Sequence, residues 1–153
     1  MSKQKKWKIK GLKKEKHLTY ISNLVLSQRL NSLTASINEF FQNETVENLH
    51  EVRIALRRLR YNMEIFDSCF EKKKFISFYK EIAQLQDLTG SKRDLDVLQE
   101  NIKTLTSNEG IAASNAVHLQ IEEKKSEINE RLKLELLRFI HSELLKDFTN
   151  LLK

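Results

Sequence analysis

The chain has 153 residues, 40% of them hydrophobic and 31% charged, with three glycines, no proline and one cysteine. That length makes one domain, large enough to bury roughly two-thirds of its unfolded surface, and long helical periodicities without proline point to an all-α protein. A lone cysteine excludes an internal disulfide, and no apolar run approaches a membrane span or the core of a signal peptide, so the cytoplasm is the expected compartment.

The net charge of +6 is unevenly placed. Residues 1–16 hold eight lysines against Glu15, while the remaining residues hold 19 basic against 20 acidic side chains. This basic arm interleaves Trp7, Ile9 and Leu12 with its lysines. It reads either as a frayed terminus or as an electrostatic tether for a polyanion. Residues 17–153 are expected to form the helical body.

From His17 to Gln42, Leu18, Ile21, Leu24, Val25, Leu33, Ile37, Phe40 and Phe41 recur at helical spacing. Arg29 stands there among uncharged positions, solvated or part of a shared basic surface. Asn43 and Glu44 make the turn into the next helix, Thr45 to Phe70, where Thr45 suits the N-cap and Glu47 the helix dipole. At about 100° per residue, Val52, Ala55, Leu56, Leu59, Met63, Phe66 and Phe70 share one stripe. His50, Arg53, Arg57 and Arg60 project together from nearly the opposite side, with Arg58 on a flank. Surfaces built only for solubility mix signs at i, i+4, yet positions 50, 53, 57 and 60 carry no acid among them. Guanidiniums this close repel one another unless an anion sits between them, and the planar fork of arginine grips phosphate oxygens two at a time.

A third helix is expected from Phe75 to Leu105. Phe75, Phe78, Ile82 and Leu85 share a face, which Leu88, Leu95, Leu98, Ile102 and Leu105 continue while drifting around the axis. Gly90 falls inside it. Either a neighbouring group passes closely there or the helix breaks at 89–91. After a loop at 107–110, a fourth helix from Ile111 to Leu152 exceeds ordinary globular length, so a break near His141 and Ser142 is expected. Four amphipathic helices joined by short links describe an antiparallel four-helix bundle.

Little in the chain suggests catalysis. Asp94 and Asp96, two residues apart on a helix, point about 200° apart and cannot share one metal ion. They are expected to orient neighbouring arginines through ion pairs. His17, His118 and His141 are scattered without ligand spacing. No nucleophile motif or glycine-rich phosphate loop occurs, and Cys69 fits packing better than chemistry. Neither an enzyme nor a cofactor is expected, and a phosphohydrolase would need metal ligands. His50 reads as a neutral histidine bonded within the bundle, or as a donor to phosphate once a polyanion favours its cationic form.

Two blocks carry a resemblance. LHEVRIALRRLRYNMEIF contains H-x-x-R-x-x-x-R-R-x-R through His50, Arg53, Arg57, Arg58 and Arg60. LQDLTGSKRDLDVL follows a helical hairpin later, matching L-G-x-x-R-D-x-D-V-L through Gly90, Arg93, Asp94, Asp96, Val97 and Leu98, with Thr89 in place of the usual Leu. Together they resemble the CHAD family, the conserved histidine α-helical domain.

That resemblance implies a helical domain that binds inorganic polyphosphate and associates with polyphosphate granules, without the triphosphate-tunnel domain that often accompanies it. It implies that His50, Arg53, Arg57, Arg58, Arg60 and Arg93 contribute to a basic polyphosphate-binding surface, with Lys92, Lys124 and Lys125 as looser candidates. The full domain resembles two four-helix halves, and only one histidine-arginine block occurs here. A homodimer rebuilding a pseudo-two-fold double bundle is therefore expected, with a monomeric half-domain as the alternative. The competing function is a nucleic-acid-associated or scaffold protein that works through its lysine arm, where Trp7 could stack on bases, although no nucleic-acid fold signature is present.

Overall fold

A computed structural model describes Ile9 and residues 17–153. The expectations for the rest of the basic arm therefore lie outside the described residues. The protein is all-α, with no strand among the described residues. Its elements are α1 (Leu18–Gln42), α2 (Val46–Ile65), a 3-10 turn (Asp67–Cys69), α3 (Lys72–Glu109), α4 (Asn115–Ile140) and α5 (Glu143–Leu151).

Three of the four later helices begin on a hydroxyl cap. Thr45 Oγ1 accepts from the Asn48 N–H at 3.1 Å, Ser114 Oγ from that of Val117 at 3.3 Å, and Ser142 Oγ from that of Leu145 at 3.1 Å. Each satisfies an otherwise orphaned donor and contributes about 1 kcal/mol. Asn48 Nδ2 also donates to the Asn43 carbonyl at 2.8 Å, tying the α1–α2 link to the first turn of α2.

The apolar stripes meet in one core. Leu26, Leu33 and Ile37 of α1 join Val52, Leu56, Leu59 and Met63 of α2, Phe75, Phe78 and Ile82 of α3, and Leu132, Leu136 and Phe139 of α4. α5 closes it with Phe148, which stacks on Phe78 at 3.9 Å between ring centroids. α2 packs on both α1 and α3, and α3 also carries α4 and α5. Such a core contributes about 1.5–3 kcal/mol per fully buried large side chain before conformational entropy is subtracted.

The boundaries differ instructively from the sequence expectation. α2 stops at Ile65, not Phe70, and the chain tightens into the 3-10 turn. Phe66 and Phe70 nonetheless reach the core, Phe70 by stacking on Phe75 at 5.1 Å. Gly90 neither breaks α3 nor marks a close approach, because a Cβ built there meets nothing within 4 Å. The fourth helix starts at Asn115 because Gly110 leaves α3 in the left-handed conformation, φ +66°, and Ser114 then caps the new helix. The break near His141 and Ser142 is present: α4 ends at Ile140 and Ser142 caps α5.

Past Leu85 the core gives out, although α3 continues to Glu109. Its 38 residues span about 57 Å, against about 30 Å for α2. Along the extension, Ile121 is buried and Leu95 and Ile102 half-buried. Leu98, Leu105, Val117 and Leu119, however, are exposed, Leu119 by 61%. Leu98 and Leu105, read from the sequence as part of the internal stripe, lie on this outer surface with Val117.

Candidate functional site

The amphipathic spacing of α2 turns Arg53 and Arg60 toward α3, Arg58 toward α1, and leaves Arg57 on the exposed face. At the start of α2 this arrangement makes a cleft of about 440 Å³. From α2, His50 and Arg53 line it with Leu49 and Glu51; from α3 come Thr89, Lys92, Arg93 and Asp96. His50, Arg53 and Arg93, taken from two sequence blocks some forty residues apart, are thus brought to one place. The α2 dipole adds partial positive charge at this end.

Arg53 and Arg93 make no ion pair among the described residues, where their planar donors face the cleft. Glu47, Glu51 and Asp96 line the same cleft. From the sequence Glu47 suits the helix dipole and Glu51 falls between members of the basic row, so neither is expected in the cleft. The cleft is therefore a place of mixed charge, not a purely cationic trough.

The other three arginines lie outside it. Arg57 is exposed, its guanidinium 5.4 Å from the centre of the Tyr61 ring, and makes no ion pair among the described residues. Arg60 is committed internally: its Nε donates to Tyr79 Oη at 3.1 Å and to Glu64 Oε1 at 3.3 Å. Tyr79 in turn donates to the same Glu64 oxygen at 2.7 Å. The hydrogen bond to Tyr79 and the charge of Glu64 outweigh slight burial and hold the Arg60 proton more firmly than usual. Arg58 approaches Arg29 of α1, whose proton is loosened by burial and then by Arg58. The buried Nε of Arg29 has no hydrogen-bond partner among the described residues.

On α3, Thr89 is 2% exposed and its hydroxyl donates to the Gln86 carbonyl at 2.8 Å. It forms part of the cleft where the expected leucine would have been wholly apolar. Asp96 serves lysines and not arginines: Lys92 Nζ donates to Asp96 Oδ1 at 2.7 Å, and Lys125 Nζ of α4 lies 3.3 Å from the same oxygen. Burial works to raise the Asp96 pKa, but the two lysines outweigh it and hold it below the usual carboxylate range. Of the helix-four candidates only Lys125 turns toward the cleft's edge; Lys124 is exposed and lies 3.8 Å from Glu127.

Among the described residues no group of three or more His, Cys, Asp or Glu side chains could hold a metal ion, and no helix is long and apolar enough to cross a membrane. The arrangement can bind anions by charge-assisted hydrogen bonds.

The family model of the CHAD domain matches residues 24–153. No curated protein and no solved structure matches the chain significantly. The match spans both the histidine-arginine helix and the α3 block that meets it across the cleft, and this chain belongs to the CHAD domain family.

Proposed function

We propose that the protein is a non-catalytic module that binds inorganic polyphosphate. The family is linked to polyphosphate binding in general. The observation that carries the reading here is the convergence of His50, Arg53 and Arg93 on one cleft, both guanidiniums without an ion-pair partner among the described residues. A phosphate chain lying along the α2–α3 groove meets Arg93, His50 and Arg53 first and Arg57 next. Arg60 contributes field more than direct contact, since Glu64 and Tyr79 occupy it. Arg58 serves a chain that crosses to the α1 side.

We read α1 to α4 as one four-helix half of a double bundle, with α5 as the continuation of α4 after its break. Two copies related by a two-fold axis complete it. The exposed Leu98, Leu105, Val117 and Leu119 support this, because they extend an apolar surface past the core. The working place is the cytoplasm, at polyphosphate granules or elsewhere in polyphosphate metabolism.

A mobility-shift titration with long-chain polyphosphate tests the reading. Affinity is expected to rise with phosphate chain length and to fall steeply with salt, as counterion release requires. Arg53→Ala with Arg57→Ala should abolish the shift while helical circular dichroism is unchanged. No shift with wild type would end the proposal, and preferential displacement by single-stranded RNA would favour a nucleic-acid partner instead.

A further inference from the structure

The geometry points to Asp96 as a built-in competitor for the anion, and to Lys125 of α4 as a member of the site. The inference rests on the polyphosphate reading and refines it. Two ammonium groups converge on the same oxygen, Asp96 Oδ1, from Lys92 at 2.7 Å and Lys125 at 3.3 Å. Cations gathered on one anionic oxygen are also how a non-bridging phosphate oxygen is held. Lys92 is only 7% exposed, so its charge needs an anion at this spot. Lys125 is braced as well, donating to Gln99 Oε1 at 2.7 Å.

Asp96 lines the cleft beside Arg53 and Arg93. A phosphate chain entering there meets two guanidiniums that pair with no described carboxylate, and a carboxylate that already occupies both lysines. The carboxylate repels the chain and withholds two donors from it. Asp96 thus sets affinity downward, and its removal releases Lys92 and Lys125 to the ligand.

Asp96→Asn is close to isosteric and keeps a carbonyl oxygen for Lys92, so it separates charge from shape. Polyphosphate affinity of this variant is expected to rise at least threefold at about 0.15 M salt. The plot of log affinity against log salt should steepen by about one ion. Adding Lys125→Gln to the variant should remove most of the gain. A residue that merely fastens α3 to α4 predicts the reverse: a lower melting temperature with affinity unchanged or weaker. That result in a folded variant overturns the assignment. Should Asp96→Asn not fold, Lys125→Gln alone decides: it spares the Lys92–Asp96 pair but leaves more of the Asp96 charge to repel the chain, so it must weaken binding, and unaltered affinity overturns the assignment. Wild type that binds while these variants fail as described sinks this inference alone. Wild type that does not bind sinks the polyphosphate reading with it.

Discussion

Arg53 and Arg60 lie on one flank of α2, two turns apart, yet their circumstances differ completely. Arg53 faces a cleft with no ion-pair partner among the described residues, whereas the Nε of Arg60 is held by Glu64 and Tyr79. The i, i+4 spacing of Arg60 and Glu64 was legible in the sequence, as was that of Lys92 and Asp96. Tyr79 and Lys125 were not, since each meets its partner only through packing of another helix. Two carboxylates make the acid side of stability a sharper test. Burial and then Glu135 raise the Glu81 pKa, so the folded state takes up a proton more readily than the unfolded chain. Ionised Glu81 therefore opposes folding at neutral pH, and this is relieved as pH falls through its raised value. Asp96 behaves oppositely: its folded pKa is depressed, so its contribution is present above about pH 4 and lost as pH falls through the depressed value. Urea melts from pH 7 to pH 2 should show Glu81→Gln flattening the upper part of the profile and Asp96→Asn the lower part.

At the scale of the helices, the sequence located all the long segments and the break before Ser142, because caps and 3.6-residue periodicity are local signals. It misjudged Gly90, whose meaning depends on neighbours that periodicity does not reveal. With open space around the position and helical backbone on both sides, Gly90→Ala should stabilise the protein by up to about 1 kcal/mol. Thermal denaturation by circular dichroism measures this, and a lower melting temperature would restore the idea of a close neighbour. The end of α2 was also misplaced. Phe66 and Phe70 keep the apolar spacing of a helix although the chain has left it, and aromatic side chains are long enough to reach the core from a 3-10 turn.

For the whole molecule, the decisive disproportion is between α2, with 20 residues, and α3, with 38. The all-α class was legible from composition and period. The outward face of the α3–α4 extension was not, since Leu98 and Leu105 fit the internal stripe equally well until α1 and α2 prove too short to cover them. If two copies pair through this surface, light scattering should give twice the monomer mass. Leu98→Glu with Leu119→Glu should return the protein to a monomer, with thermal stability of the core retained.

The uninterrupted passage of α3 through Gly90 carries one more implication. From Arg93 at the cleft to Glu109 at the tip, the helix is a rigid strut of about 24 Å. Paired through the extension, two such struts would hold their clefts at a separation set by helical rise and not by a slack hinge. A phosphate chain too short to cover that gap would engage one copy only, and the pair would act as a ruler for polymer length.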